Sequence, residues 1–140
     1  MLARARTIAV LGIKPESRRQ LDAHQIPLYL QSVGYAIVPV PVRYPEAGSI
    51  LGAAVVRDVR EARADILNVF CKPRDLLPRV DAIIALGPRV VWFQSGLLEL
   101  DAAVRLVDAG IAIAEDCIGC RRASMSPSTM PLHGQIAVPR

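Results

Sequence analysis

Lysine is almost missing from this chain: of 17 cationic residues only Lys14 and Lys72 are lysines. Aromatic side chains are nearly as scarce, with one tryptophan, three tyrosines and two phenylalanines in 140 residues. None interleaves with a basic stripe, which leaves no stacking platform for single-stranded nucleic acid. The net charge is +4, yet the arginines are scattered, with adjacent pairs only at Arg18-Arg19 and Arg121-Arg122, so charge alone does not outline a nucleic-acid footprint. No apolar run reaches the roughly 18 residues of a membrane span. Met1-Leu-Ala-Arg-Ala-Arg lacks the apolar core of a secretion signal, so a cytoplasmic location is expected. Three cysteines, Cys71, Cys117 and Cys120, are an odd number for a disulfide framework, and reduced thiols are expected.

What is present is apolar and regularly punctuated. Hydrophobic residues make up 52% of the chain, enough for a substantial core in one domain of this length. Strands are expected over Thr7 to Leu11, Ala36 to Val40, Asp65 to Phe70, Arg89 to Phe93 and Ile111 to Ala114, from their β-branched, uninterrupted apolar runs. Helical spacing marks Leu21 to Val33, Leu76 to Leu86 and Leu98 to Ala109, with Gly34, Gly87 and Gly110 as stops. Between them lie a loop from Tyr44, a short extended piece at Gly52 to Val56, and a brief helix over Val59 to Arg63 that Asp58 caps. Strands alternating with crossover helices, and apolar on both faces, give an α/β fold: a doubly wound parallel sheet of five strands. Residues 121–140 have turn-forming composition and no periodicity, and are expected to form an irregular polar tail after a domain spanning 1–120.

In such a sheet the carboxyl ends of the strands share one rim, where nucleotides bind. The segments at the strand ends begin at Gly12, Pro39, Phe70, Gln94 and Glu115. They carry Lys14, Arg43, Lys72 and Arg74, cations suited to phosphate. Pro41, Phe70 and Pro73 offer apolar surface for an adenine ring, and Gly12 permits a tight turn before a helix whose first N–H groups attract anions. Only the first glycine of Gly-x-Gly-x-x-Gly is present, and Arg43 and Tyr44 stand where an acidic residue would grip a ribose diol. A nicotinamide dinucleotide is therefore disfavoured.

No catalytic set assembles. Ser17 and Ser95 have no histidine and acid in series, Glu115 and Asp116 point apart on an extended chain, and His24 belongs to a helix packed on the sheet. Cys117-Ile-Gly-Cys120 has the spacing of a metal knuckle or a redox pair, but with His24 and His133 as the only histidines it is half a zinc site. Structural cysteines are the expectation.

Taken in order, Thr7-Ile-Ala-Val-Leu-Gly, Gly34-Tyr, Val38-Pro-Val-Pro, Leu51-Gly, Asp65-Ile-Leu-Asn-Val-Phe-Cys-Lys-Pro, Val91-Trp-Phe-Gln-Ser-Gly, Ala109-Gly-Ile and Asp116-Cys resemble the small stand-alone CoA-binding proteins. These in turn look like the CoA-binding domain of the succinyl-CoA synthetase α subunit. The resemblance covers residues 7–118 and implies a Rossmann-like domain holding coenzyme A over the rim. It implies phosphates near Gly12, Ile13 and Lys14 and the start of the first helix, with Ser17 beside them. The adenosine end would lie near Pro41, Arg43 and Tyr44, with Phe70, Lys72 and Pro73 flanking the nucleotide. Gln94, Ser95 and Gly96 would line the way to the pantetheine arm, with Cys117 toward the far end of the site. Two stretches depart from the family pattern: Pro39-Val-Pro lacks its asparagine, and Ile-Gly-Cys-Arg-Arg replaces a basic segment with a Glu-His pair. The synthetase's catalytic histidine belongs to another domain, so no ligase activity is implied.

The expectation is thus a protein that binds coenzyme A or an acyl-CoA without catalysis, with no metal, nucleic acid or membrane as partner. The alternatives are a nucleotide-dependent oxidoreductase and a protein-interaction module without a small-molecule ligand.

Overall fold

A computed structural model describes residues 2–125. Five strands form its main sheet: β1 (Thr7–Leu11), β2 (Ala36–Val40), β5 (Ile66–Val69), β6 (Val90–Phe93) and β7 (Ala112–Glu115). A two-residue hairpin arm, β3 (Ser49–Ile50) and β4 (Ala53–Ala54), occupies the loop after β2. The helices are α1 (Asp22–Ser32), α2 (Pro73–Leu76), α3 (Val80–Leu86), α4 (Leu100–Asp108) and α5 (Ile118–Ala123). The main sheet is parallel throughout, in the order β2-β1-β5-β6-β7, so the chain starts near the middle and winds outward in both directions.

Side chains alternate across the strands and fill two apolar layers. Ala9, Leu11, Leu67, Val69, Val91 and Phe93 pack with Val80, Ile83 and Leu106 on one side, the side of α3 and α4. Ile8, Val10, Ile66, Val90 and Trp92 pack with Leu30 and Ile118 on the other, under α1 and α5. Burying a residue as large as Phe93 contributes about 1.5–3 kcal/mol, and Phe93 is fully buried. Asn68 is a polar residue inside this core, and its side-chain amide donates to the Trp92 carbonyl at 3.0 Å. At the opposite edge from the rim, Asp65 ties β5 to β1: its carboxylate accepts from the Arg6 N–H at 2.7 Å and the Thr7 N–H at 3.2 Å.

Two expectations need correction. Pro73 does not simply stop the third main strand; it is the first residue of α2, and helical backbone runs on through a 3-10 turn at Leu77–Arg79 into α3. Proline suits that position because the first helical N–H has no partner in any case. The extended piece expected at Gly52 to Val56 holds the strand β4, one arm of the β3–β4 hairpin, and the Val56 N–H donates to the Pro39 carbonyl. Finally, α5 carries regular structure past residue 120, so the irregular tail does not begin at 121; the rest of it, 126–140, lies outside the described residues.

Candidate functional site: the carboxyl rim of the sheet

The strands end flush. Val40 pairs with Leu11, Leu11 with Val69, Val69 with Phe93 and Phe93 with Glu115. The residue after each of β1, β5, β6 and β7 then extends the ladder by one step: Gly12 donates to the Val40 carbonyl at 2.8 Å, Phe70 to Leu11 at 2.8 Å, Gln94 to Val69 at 3.1 Å and Asp116 to Phe93 at 3.1 Å. All the candidate segments therefore leave the sheet along one straight hydrogen-bonded line. From β2 to β7 that line crosses four strand spacings, about 19 Å.

Over the β2, β1 and β5 ends of this line lies a cavity of about 360 Å³, lined by Gly12, Ile13, Lys14, Arg43, Tyr44, Phe70, Lys72 and Arg74. Val42, Cys71 and Asp75 complete its wall. The remaining candidates, Ser17, Pro41, Pro73, Gln94, Ser95, Gly96 and Cys117, do not line it. Ser17 is exposed in a 3-10 turn at Glu16–Arg18, and Pro41 is buried just after β2. Gln94 is buried toward the other end of the rim, where its side-chain oxygen accepts from the Ile118 N–H at 3.3 Å. Ser95 and Gly96 are exposed, and the Gly96 N–H donates to the Glu115 carboxylate at 3.1 Å.

Gly12 is required twice over. Its φ of +91° is unfavourable for any residue with a Cβ, and a Cβ there would sit 2.9 Å from the Cys71 backbone nitrogen. The floor of the cavity can be this thin only because glycine forms it. The N–H groups expected to cradle an anion are partly committed: Gly12 donates to Val40, and Lys14 to Ala23 at 3.2 Å. Nor does a helix follow Gly12 at once, since α1 begins at Asp22.

The Lys14–Ala23 bond has its cause inside α1. Pro27 sits in the helix interior and has no N–H to offer the carbonyl four residues back, which is that of Ala23. Lys14 takes the vacated acceptor. On its other side the Lys14 carbonyl pairs with Nδ1 of buried His24 at 2.8 Å. The backbone of Lys14 is thus pinned to the first turns of α1 at both polar groups, and its ammonium lies 5.4 Å from the centre of the Tyr44 ring.

Tyr44 holds a left-handed φ of +65°, a conformation costing roughly 1–3 kcal/mol for a residue with a side chain. Arg57 braces it, donating to the carbonyls of Tyr44 at 2.9 Å and Ala47 at 2.6 Å. Arg43 crosses the cavity mouth to Asp75, with 3.1 Å between Nη1 and Oδ2. Burial pushes the Cys71 thiol up to about 12, so it is a neutral wall residue, not a nucleophile. Neither Arg57 nor Asp75 was among the sequence candidates.

Cys117 and Cys120 are joined as a disulfide, and Cys117 caps α5, its sulfur accepting from the Cys120 N–H at 3.2 Å. This corrects the expectation of reduced thiols. The pair also opens α5, a helix with no periodic signature in the sequence. Gly119 between them lets α5 approach α1, where an added Cβ would meet Ile26 at 3.0 Å. Among the described residues no group of three or more His, Cys, Asp or Glu side chains is placed to hold a metal ion, and no helix is long and apolar enough to cross a membrane.

An open, wholly parallel five-stranded sheet covered by helices on both faces defines a Rossmann-like α/β domain. The chain belongs to the CoA-binding domain family, whose pattern matches residues 6–123. It is 28% identical over 119 residues to the uncharacterized protein YneT of Bacillus subtilis (strain 168), covering 84% of this chain and 86% of that one. The solved structure of cell-free ID.343 from Thermus thermophilus is similar, with 32% identity, a TM-score of 0.75, and coverage of 86% of this chain and 92% of that one. A hypothetical protein from Pyrococcus horikoshii OT3 matches at 27% identity and a TM-score of 0.75, over 87% and 84% of the two chains.

Proposed function

We propose that the protein binds coenzyme A or an acyl-CoA along the carboxyl rim and does not catalyse a reaction of it. The observation that carries the reading is the cavity over β1, β2 and β5, into which Lys14, Arg43, Lys72 and Arg74 converge from three separate loops. Four cations around so small a volume suit a ligand with several phosphate charges. Phe70 and Tyr44 add flat apolar surface for a base, and membership of the CoA-binding domain family favours coenzyme A over other nucleotides. The absence of catalysis is part of the proposal: Cys71, the thiol in the cavity wall, is held protonated by burial and offers no nucleophile.

Thermal unfolding with added nucleotides tests it. A ligand that binds only the folded state raises the melting temperature by mass action, so coenzyme A and acetyl-CoA should raise it and NAD and NADP should not. An unchanged melting temperature at about a hundredfold the expected Kd, where roughly 2.7 kcal/mol of stabilisation is due, would end the coenzyme A reading. Lys14→Ala and Lys72→Ala should each weaken binding by about 1–3 kcal/mol, tenfold or so per charge.

A further inference from the structure

We propose that the Cys117–Cys120 disulfide exchanges with the thiol of coenzyme A, so that the bound ligand and the protein share one redox couple. The inference rests on the coenzyme A reading above, and extends it to the reactive end of the ligand. Three observations carry it.

The first is position. Cys117 directly follows Asp116, the last residue of the rim ladder, two strand spacings beyond Phe70 in the cavity wall. That is about 10 Å, a gap that the long, flexible pantetheine arm of a nucleotide held by its phosphates crosses readily. Gln94 links the intervening strand to the segment, its side chain accepting from Ile118. The second is access: Cys120 is exposed while Cys117 is half-buried, so an incoming thiolate meets Cys120 first. The third is the leaving group. The Cys117 sulfur already accepts the Cys120 N–H at 3.2 Å, a hydrogen bond that favours the thiolate which exchange releases.

The step balances without an outside oxidant. The coenzyme A thiol gives its proton to solvent, and its thiolate attacks the Cys120 sulfur. The Cys117–Cys120 bond breaks with its electron pair moving to Cys117, and a CoA–S–S–Cys120 bond forms. Attack of the Cys117 thiolate on Cys120 reverses the step and frees coenzyme A. Thiol–disulfide exchange of this kind depends on access and on the leaving thiol, and both are set by the geometry of this pair.

The test uses the full chain in its oxidised form, mixed separately with coenzyme A and with pantetheine, which has the same thiol arm and no nucleotide. Adducts are read by intact mass after acid quenching. A thiol held nearby has an effective concentration on the order of millimolar, so at about 0.1 mM thiol coenzyme A should react roughly tenfold faster. Cys117→Ser, which keeps a good cap for α5, cannot resolve the adduct; with CoA disulfide it should accumulate CoA–S–S–Cys120, and Cys120→Ser should accumulate far less. Equal rates with coenzyme A and pantetheine would overturn the proposal, as would no adduct on wild type or Cys117→Ser. Acetyl-CoA, which has no free thiol, separates the two readings. If it raises the melting temperature while no adduct forms, the exchange fails and coenzyme A binding stands. If it does not, the binding reading fails first.

Discussion

Replacing Gly12 by alanine should do two kinds of damage that can be measured apart. A residue with a Cβ at a φ of +91° loses about 1–2 kcal/mol to the clash of that Cβ with its own backbone. The new carbon also lands 2.9 Å from the Cys71 nitrogen and 3.1 Å from the Cys71 Cβ. Neither is the end of a flexible side chain, so the loops after β1 and β5 must part, at an overpacking cost of about 1–3 kcal/mol. The total, roughly 2–5 kcal/mol, is a large share of the 5–15 kcal/mol that holds a typical domain together. Gly34→Ala supplies the comparison: its φ is +110°, but nothing lies within 4 Å of the added carbon. It should lose only the conformational part. Urea unfolding followed by circular dichroism gives both values, and Gly12→Ala should fall at least about 1 kcal/mol below Gly34→Ala. Equal losses would show that the Cys71 backbone yields freely and that the thin cavity floor does not depend on glycine.

Asp65→Asn should destabilise the protein at neutral pH and flatten its acid limb. Backbone N–H donation, chiefly from Arg6, holds the Asp65 carboxyl below its usual range; its stabilisation is therefore complete above the unfolded value near 3.9 and disappears as pH falls through the lower folded value. Urea midpoints from pH 7 downward should converge for wild type and variant, and parallel curves would refute the assignment. Cys71, with its thiol near 12, should resist iodoacetamide at about pH 8, where roughly one molecule in ten thousand carries the thiolate, and react promptly in urea; labelling of the native protein at Cys71 would contradict its burial. Arg57→Ala removes the brace on the strained Tyr44 loop. Proteolysis between Arg43 and Ala47 should accelerate and coenzyme A affinity should drop several-fold, whereas unchanged cleavage and affinity would leave Arg57 without a structural role.

The main strands could be read from the sequence because both faces of an inner parallel strand are buried, and that demand writes itself as an unbroken β-branched run such as Thr7-Ile-Ala-Val-Leu. Once the strands are placed, the rim positions follow, and Lys14, Arg43, Lys72 and Arg74 come together at the cavity. The helix α5 was not legible: six residues with Gly119 near the start and two adjacent arginines give no period to detect. The Arg57 brace has no local signature either, since the carbonyls it holds lie 10 and 13 residues away. Proline 27 did leave a trace, a helix breaker within helical spacing, but sequence alone cannot say which donor takes the orphaned carbonyl.

That donor ties two distant parts of the chain into one opening event. Pro27 offers the Ala23 carbonyl no N–H, and the Lys14 N–H fills that acceptor from outside the helix. In native-state hydrogen exchange the Lys14 amide and the first turns of α1 should then exchange together, as one cooperative unit, independently of the opposite edge of the sheet. The stretch after β1 has only the 3-10 turn at Glu16–Arg18 as regular structure of its own; Lys14, the first rim cation, takes its backbone order from a helix that begins eight residues later in the chain.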